Sequence, residues 1–294
     1  MNEQHSPLTW FITGVSRGLG RALAERALER GDTVVGTIRQ ASQRAAFEAL
    51  APGRALAYEL DVTDGAAIDD VVARAVGAVG HVDVVVNNAG YGQIGTLEAS
   101  SEAEARHQFE VNVFGALRVT QAFLPHFRSR RRGHFLQISS VGGMVGFAGV
   151  GLYNASKFAL EGFSEALANE SADLGIKVTI VEPGAFRTDW AGDSLRTADD
   201  HADYISAGSR IRAIHGQQIG DPRRAAEAML RVVDAPTPPL RLVLGADALQ
   251  AIRSKLATMT AELDRWEAVT VSTAFPDAPP AALTPRGPEA VAAS

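Results

Sequence analysis

The sequence contains no cysteine among its 294 residues, which excludes a disulfide-stapled scaffold, a thiolate metal site and a cysteine nucleophile. It also lacks an apolar run of the roughly 18 residues that a membrane-spanning helix needs. The first seven residues carry no basic residue before a short apolar run, so we predict no secretory signal. The net charge of −6 argues against a nucleic-acid surface. We therefore expect a cytoplasmic protein with no metal site and with neither nucleic acid nor membrane as a partner.

Lysine is also scarce in this chain. Only three of the 28 basic residues are lysine, at Lys157, Lys177 and Lys255, and the rest are arginine. A lysine is therefore informative about its site, because this chain places arginine wherever a general positive charge is sufficient.

Apolar residues make up 46% of the chain, which is enough for a large core and excludes global disorder. Apolar runs of strand length alternate with helical patterns six times within about 180 residues. This alternation predicts an α/β fold, a doubly wound parallel sheet with helices on both faces. The predicted strands are 8–13, 33–38, 54–60, 82–86, 135–138, 176–181 and 240–244. The predicted helices are 19–28, 41–50, 66–79, 101–130, 154–174, 222–233 and 246–269.

The alternation indicates one domain over residues 1–271. Residues 185–220 interrupt it with a polar, irregular segment, and a segment of that length is typical of a functional lid or a disordered patch. We assign it to a substrate loop. The tail from 272 to 294 is rich in proline and alanine and is predicted to be disordered.

The first predicted strand leads directly into a glycine-rich loop, Thr13–Gly20, and then into a helix. Its glycines have the spacing G-x3-G-x-G, and they permit a tight turn, close approach of the backbone to a pyrophosphate, and close packing of helix on strand. The helix N-terminus offers free N–H groups and the positive end of a dipole. The alternative is a glycine-rich turn without a ligand. The predicted dinucleotide-binding residues of this loop are Gly14, Ser16, Arg17, Gly18, Leu19 and Gly20.

The residues after the second and third strands indicate which dinucleotide binds. The second strand ends at Arg39 and no acid follows it, while Asp32 precedes that strand and so lies at its wrong end. An arginine fork suits a 2′-phosphate, and Arg17 could supply a second charge, so NADP is favoured over NAD. The alternative is that both arginines are solvated surface charges. Asp61, followed by Val62, could accept a hydrogen bond from the adenine amino group, or it could lie beside a helix N-cap at Thr63.

Small and amide residues follow the fourth strand, at the edge where open α/β sheets bind ligands. Asn88, Ala89 and Gly90 would let a cofactor ribose approach, and Asn87 could brace the neighbouring strands. A plain turn is the alternative interpretation.

Tyr153 and Lys157 lie four residues apart in a predicted helix and therefore on one face. A tyrosine with an ordinary pKa near 10 needs its phenolate stabilised to exchange protons near neutral pH, which an ammonium and an oxidised nicotinamide would both do. An exposed helix pair is the alternative. Ser139 and Ser140 end the preceding strand, where a hydroxyl can orient a substrate carbonyl. Asn112, in a predicted helix, could bind a water or lie on a solvated face.

Taken together, these residues resemble the short-chain dehydrogenase/reductase family in its compact form, over about residues 8–250. The resemblance implies a three-layer Rossmann fold with strand order 3-2-1-4-5-6-7 and an NADP(H) cofactor. It also implies a homodimer or homotetramer, formed through helices around 101–130 and 154–174. The implied catalytic tetrad is Asn112, Ser140, Tyr153 and Lys157, with Ser140 preferred because the family serine lies thirteen residues before the tyrosine. Further implied cofactor contacts are Tyr153, Lys157, Pro183, Gly184 and Thr188, the last of which would hold the carboxamide.

The prediction is therefore an NADP-dependent ketoreductase-type enzyme that interconverts a ketone or aldehyde and an alcohol. Tyr153 would be its general acid/base, Lys157 would lower the tyrosine pKa, Ser140 would fix the carbonyl, and Asn112 would hold a relay water. Apolar residues at Met144, Phe147, Phe186 and Trp190 indicate a bulky hydrophobic substrate, unless they only pack the loop onto the core. The alternatives are a non-catalytic NADP-binding sensor and an epimerase or dehydratase on the same scaffold.

Overall fold

The computed structural model describes residues 6–188, 190, 196–197, 204 and 216–275, and it contains a seven-stranded parallel sheet. The strands are β1 (Thr9–Ile12), β2 (Thr33–Ile38), β3 (Ala55–Glu59), β4 (Val84–Asn87), β5 (Gln93–Ile94), β6 (Gly133–Ile138), β7 (Ile176–Pro183), β8 (Arg196–Thr197) and β9 (Arg241–Leu244). The strand order in the large sheet is β3-β2-β1-β4-β6-β7-β9, which is the predicted order once the strands of a separate small sheet, β5 and β8, are left out. Every neighbouring pair in the large sheet is parallel.

Helices cover both faces of the large sheet, because successive side chains of each strand point to opposite faces. On β1, Trp10 and Ile12 belong to one core cluster, and Phe11 belongs to the other. The helices are α1 (Gly18–Glu29), α2 (Arg44–Glu48), α3 (Gly65–Val79), α4 (Glu102–Phe109), α5 (Ala116–Arg130), α6 (Gly151–Ser171), α7 (Pro222–Asp234) and α8 (Ala246–Val271). The first cluster includes residues of α1, α2 and α7, and the second includes residues of α3, α5 and α6. The predicted three-layer doubly wound sheet is thus confirmed.

Several predicted boundaries are wrong in an informative way. The single helix predicted over 101–130 is α4 and α5 joined by a π-helical turn at Glu110–Gly115, a distortion that hydrophobic periodicity does not register. The pairing of β5 with β8 was not predicted, because two-residue strands are too short to show a pattern. The N-cap of α3 is Asp64, whose side chain accepts from the Ala67 N–H, and not Thr63.

Some predictions fall on parts of the chain outside the described residues. These include most of the proposed loop at 185–220 and the tail beyond 275. Among the described residues, no helix has the length and apolarity to cross a membrane.

Candidate active site

The glycine loop after β1 has the backbone that a phosphate site requires. Gly14 and Gly18 adopt φ values of 72° and 66°, in the left-handed region that favours glycine. Arg17 is the N-cap of α1 and makes no side-chain capping bond, so this helix end keeps backbone N–H groups for an anion. At Gly20 a Cβ atom would lie 2.5 Å from the Gly14 carbonyl oxygen and would also overlap the Asn88 amide. Gly20 therefore allows α1 to pack closely on the loops beneath it.

The loop after β4 is joined to the glycine loop by hydrogen bonds. Asn88 Nδ2 donates to the carbonyl oxygens of Thr13 and Gly14 at 2.8 and 3.0 Å. Thr13 Oγ1 accepts from the N–H groups of Asn88 and Ala89, both at 2.9 Å. The Asn88 side chain thus holds two loops in register and leaves Ala89 and Gly90 at the cleft surface.

Asn87 fixes β4 to its neighbours. Its Nδ2 donates to Thr120 Oγ1 on α5 and to Gln137 Oε1 on β6, both at 2.9 Å. The bracing function predicted for Asn87 is therefore confirmed.

At the ends of β2 and β3 the cleft is bordered by charged residues. Arg39 is exposed there and Asp61 follows β3. Partial burial acts to raise the pKa of Asp61, but hydrogen bonds from Thr63 together with the charges of Arg39 and His107 hold that pKa below its usual value. Asp61 is therefore an anionic hydrogen-bond acceptor beside an arginine. His107 also lines this region and was missed by the sequence interpretation.

These loops border a single cleft of about 910 Å³ at the carboxyl edge of the sheet. This position follows from the strand order, which reverses between β1 and β4 and opens a crevice outside the strand ends. Three predicted site residues, Gly20, Asn112 and Met144, do not line it. The predicted residues that do line it are Gly14, Ser16, Arg17, Gly18, Leu19, Arg39, Asp61, Val62, Asn88, Ala89, Gly90, Ser140, Phe147, Tyr153, Lys157, Pro183, Gly184, Phe186, Thr188 and Trp190.

Tyr153 and Lys157 are both buried on α6 and both line the cleft. The Lys157 Nζ donates to the Ile138 carbonyl oxygen at 2.7 Å and lies 5.8 Å from the centroid of the Tyr153 ring. Ser140, which follows β6, hydrogen-bonds to the Tyr153 hydroxyl and also accepts from the Gly142 N–H at 3.0 Å. The structure therefore brings Ser140, Tyr153 and Lys157 together at one place in the cleft.

The pKa values at this place differ from the sequence interpretation. Burial raises the pKa of Tyr153 to about 12, with only a partial offset from the hydrogen bond with Ser140. Burial also lowers the pKa of Lys157 to about 8, although Glu161 acts against that change. The expectation that Lys157 makes Tyr153 acidic is wrong for the chain alone, because burial penalises the charged form of both groups.

Asn112 lies in the π-helical turn between α4 and α5, with its side chain buried. Its Oδ1 accepts from the Tyr91 N–H at 3.1 Å, and its Nδ2 donates to the Tyr91 carbonyl oxygen at 3.0 Å and to Ser156 Oγ at 3.1 Å. The side chain therefore connects the loop after β4 with α6. The water-holding role stays a prediction.

A buried acidic cluster lies beneath the catalytic candidates and was missed by the sequence interpretation. Glu161 follows Lys157 by one helical turn, and Glu182 is the penultimate residue of β7. Arg241 Nε lies 3.2 Å from a Glu161 oxygen and 3.4 Å from a Glu182 oxygen. Burial raises the pKa of Glu161, and burial together with the charge of Glu161 raises that of Glu182 to about 7. The i, i+4 spacing of Lys157 and Glu161 was the available sequence signal.

Aromatic side chains form the apolar part of the cleft. The rings of Tyr153 and Trp190 lie 5.1 Å apart between centroids, and Ile94 and Val150 complete this small cluster. Gly92 makes room for Trp190, since a Cβ there would lie 2.5 Å from the indole.

Phe147 is exposed at the cleft, whereas Phe186 packs partly against the core. Phe186 therefore packs the loop onto the core, as the alternative interpretation expected, and it also lines the cleft, while its contact with a substrate stays a prediction. Asp247, at the start of α8, also lines the cleft and accepts from the Ala185 N–H at 2.8 Å.

Comparisons with known proteins agree with this geometry. A family model described as short chain dehydrogenase matches residues 9–199. Oxidoreductase BOA17 of Botryotinia fuckeliana (strain B05.10) is 36% identical over 270 residues, which cover 90% of this chain and 98% of that protein. Retinol dehydrogenase 8 of Homo sapiens is 36% identical over 255 residues, which cover 80% of this chain and 81% of that protein. The chain belongs to the short-chain dehydrogenase/reductase family and is an oxidoreductase of that class.

Solved structures support the same assignment. A short-chain dehydrogenase from Streptomyces avermitilis is 45% identical, with a TM-score of 0.87 over 92% of this chain and all of that one. The 3-ketoacyl-(acyl-carrier-protein) reductase from Brucella melitensis, complexed with NADH, is 26% identical, with a TM-score of 0.70 over 80% of this chain and 96% of that one. The alcohol dehydrogenase from Thermococcus sibiricus, complexed with 5-hydroxy-NADP, is 25% identical, with a TM-score of 0.68 over 81% and 96%. Family membership thus implies a nicotinamide cofactor without deciding between NAD and NADP.

Proposed function

We propose that this protein is an NADP(H)-dependent oxidoreductase that interconverts a ketone or aldehyde and the corresponding alcohol. The observation that carries the proposal is the buried Tyr153 hydroxyl, hydrogen-bonded to Ser140 in the same cleft that the glycine loop and Arg39 line. A phenol, a serine hydroxyl and a lysine in a largely apolar setting are suited to moving one proton at a carbonyl oxygen.

The proposed chemistry assigns one task to each side chain. Tyr153 gives its proton to the substrate oxygen during reduction and takes it back during oxidation. Ser140 donates a hydrogen bond to that oxygen and so orients the carbonyl. Lys157, with a pKa of about 8, is mainly protonated near neutral pH and contributes positive charge beside the phenol. Bound NADP(H) would supply the hydride, and its oxidised ring would add a second positive charge there.

The preference for NADP over NAD rests on the charges around the adenosine end of the cleft. Arg39 and Arg17 are exposed at the cleft, where a 2′-phosphate would meet two permanent positive charges. Asp61 is held anionic and is available to an amino group of the base. The residues proposed to hold the diphosphate are those of the glycine loop with its uncapped helix end.

A bulky hydrophobic substrate is the best fit to the apolar part of the cleft. Phe147, Phe186 and Trp190 line this part, and Trp190 lies against the Tyr153 ring. The relative named retinol dehydrogenase 8 supports a substrate of this kind, since its name refers to a large apolar alcohol.

The test of the catalytic assignment is Tyr153→Phe, which removes the exchangeable proton and keeps the ring. We expect kcat/KM for NADPH-dependent reduction of a hydrophobic ketone to fall by at least about 100-fold. Tyr58→Phe is the matched control, because the Tyr58 hydroxyl lies outside the cleft lining and makes only a 3.5 Å bond to the Arg74 carbonyl oxygen. Activity of Tyr153→Phe within about tenfold of the wild type would refute the general-acid role. Absence of stoichiometric NADPH consumption in the wild type would instead favour the sensor or the epimerase.

The cofactor preference is tested separately with Arg39→Ala. We expect kcat/KM to favour NADPH over NADH in the wild type, and we expect this ratio to fall by about 10-fold or more in the variant, since a charge-assisted bond to the 2′-phosphate is lost. Arg74→Ala is the control, because Arg74 is exposed on α3 and pairs with Asp70. A wild-type preference for NADH would overturn the assignment.

A further inference from the structure

The C-terminal helix α8 projects away from the rest of the described structure. It spans 26 residues, about 39 Å at the usual rise per residue. Ala248 and Ile252 are buried in its first two turns, and every residue from 253 to the helix end is exposed. A solvent-exposed helix of this kind gains little from intrinsic propensity, since most helical stability in proteins comes from packing.

The projecting part carries an apolar stripe. Leu256, Met259, Leu263 and Trp266 follow one another at spacings of three, four and three, and their exposed fractions are 49, 44, 65 and 59%. They occupy the a and d positions of two successive heptads, the pattern of a coiled-coil seam, and they continue the heptad that begins with Leu249 and the buried Ile252. Contiguous exposed apolar side chains of this kind mark an interaction surface.

The charges beside the stripe differ between the two halves of the helix. Arg253 and Lys255 flank the first half, at e and g positions, and Glu262 and Glu267 flank the second half at g and e positions. Side-by-side pairing in a parallel orientation would bring Glu262 next to the partner's Glu267, which is repulsive. Antiparallel pairing of the exposed residues would bring Arg253 next to the partner's Glu267, and two-fold symmetry would make that contact twice, against a single repulsive pair between the two Glu262 side chains.

We propose that α8 pairs in an antiparallel manner with α8 of a second copy of this chain. In the register that uses only exposed residues of the stripe, Leu256 packs against the partner's Trp266, and Met259 packs against the partner's Leu263. A membrane surface is the weaker alternative, because α8 carries three basic residues (Arg253, Lys255 and Arg265) and four acidic ones (Asp247, Glu262, Asp264 and Glu267) and therefore lacks the basic face that anionic lipids attract. This interface differs from the helices around 101–130 and 154–174, and it does not depend on the proposed activity.

The first experiment measures the molar mass of the full-length protein by light scattering after gel filtration. We expect Leu263→Asp to halve the mass of the wild-type assembly, because a charge in the seam cannot be buried. Ala261→Asp is the matched control, since Ala261 occupies the opposite, outward face of the same helix turn, and its mass should equal that of the wild type. Circular dichroism of both variants checks that the body remains folded. An unchanged mass for Leu263→Asp would overturn the proposal.

The second experiment tests orientation by charge reversal. We expect Arg253→Glu and Glu267→Arg each to weaken self-association by at least about tenfold, and the double variant to restore it, because the reversed pairs are again complementary. Failure of the double variant to recover would overturn the antiparallel register.

Two further readouts identify other occupants of the stripe. The first readout is sedimentation with phosphatidylcholine–phosphatidylserine vesicles. If the wild type but not Leu263→Asp sediments with the vesicles, and both proteins have the same molar mass in solution, α8 binds a membrane surface and the proposal is refuted. The second readout is hydrogen exchange in α8 after deletion of residues 276–294. If α8 loses protection while the protein keeps the same oligomeric state, the chain's own tail covers the stripe and the proposal is also refuted.

Discussion

At the scale of single residues, the most unusual feature is the pair of buried carboxyl groups beneath the catalytic candidates. Glu182 is almost fully buried and its two side-chain oxygens make no hydrogen bond, although Arg241 lies 3.4 Å from one of them. Glu161 approaches the same guanidinium from α6. Burial is the main cause of the raised pKa values of both acids, the charge of Glu161 adds to it at Glu182, and Arg241 offsets it only in part.

This arrangement predicts a pH-dependent effect of Glu182→Gln on stability. The pKa of Glu182 is about 7 in the folded chain and 4.5 in the unfolded one. The folded protein therefore retains a proton that the unfolded chain releases, and the free energy of unfolding falls as pH rises from 4.5 to 7. We expect Glu182→Gln to remove this loss of stability, because glutamine does not titrate. The melting temperature of the variant minus that of the wild type should therefore be more positive at pH 8 than at pH 5.

The control for this experiment is Glu165→Gln, because Glu165 is a more exposed carboxylate that binds the same Arg241 at 2.5 Å. Its effect on the melting temperature should not increase between pH 5 and pH 8. If Glu182→Gln shifts the melting temperature equally at both pH values, the raised pKa is incorrect.

At the scale of elements, the π-helical turn between α4 and α5 determines where Asn112 lies. An uninterrupted α-helix over 101–130 would rotate the side chains after the turn, since a π-turn inserts one residue into the helical repeat. In the structure, Asn112 contacts the backbone of Tyr91 twice and Ser156 once. The turn thus joins three separate segments through one amide side chain.

Asn112→Ala should therefore destabilise the protein by about 2–3 kcal/mol, since it removes one buried and two partly buried hydrogen bonds. Gln108→Ala is the comparison, because Gln108 Nε2 makes one bond to the same Tyr91 carbonyl oxygen, at 2.9 Å, and its removal should cost about 1 kcal/mol. Urea unfolding of both variants measures the difference. Unchanged stability of Asn112→Ala, together with a lower kcat, would instead favour the water-holding role.

At the scale of the whole molecule, one cleft draws its lining from loops that follow β1, β2, β3, β4, β6 and β7. A dinucleotide bound there would contact segments from both halves of the sheet, so its binding free energy would add to the stability of the folded state as a whole.

We expect NADP⁺ at about 100 times its dissociation constant to stabilise the protein by about 2.7 kcal/mol. For a chain of this size that corresponds to a rise in melting temperature of about 4–5 °C. The same concentration of NAD⁺ should produce a smaller rise, and Arg39→Ala should remove the difference between the two nucleotides. Equal shifts by both nucleotides in the wild type would contradict the NADP assignment without affecting the catalytic one.

Much of this protein could be predicted from local patterns in the sequence. The seven strands of the large sheet and the helices between them follow from apolar periodicity, and the placement of helices on both faces follows from the chirality of crossover connections. The strand order was implied by the family resemblance. The glycine loop and the Tyr153–Lys157 pair are likewise local, because their spacing within one turn or one helix determines their relative position. These features depend on residues close together in the chain, where backbone geometry alone places side chains.

The features that escaped prediction depend on residues far apart in the chain. The raised pKa of Tyr153, the partners of Asn112 and the Glu161–Glu182–Arg241 cluster all result from burial and from contacts between different elements. The apolar stripe of α8 is visible in the sequence, but only the folded chain leaves it exposed. Burial and proximity are properties of the packed molecule, and they decide the charge of a group or the availability of a surface in a way that no local spacing can.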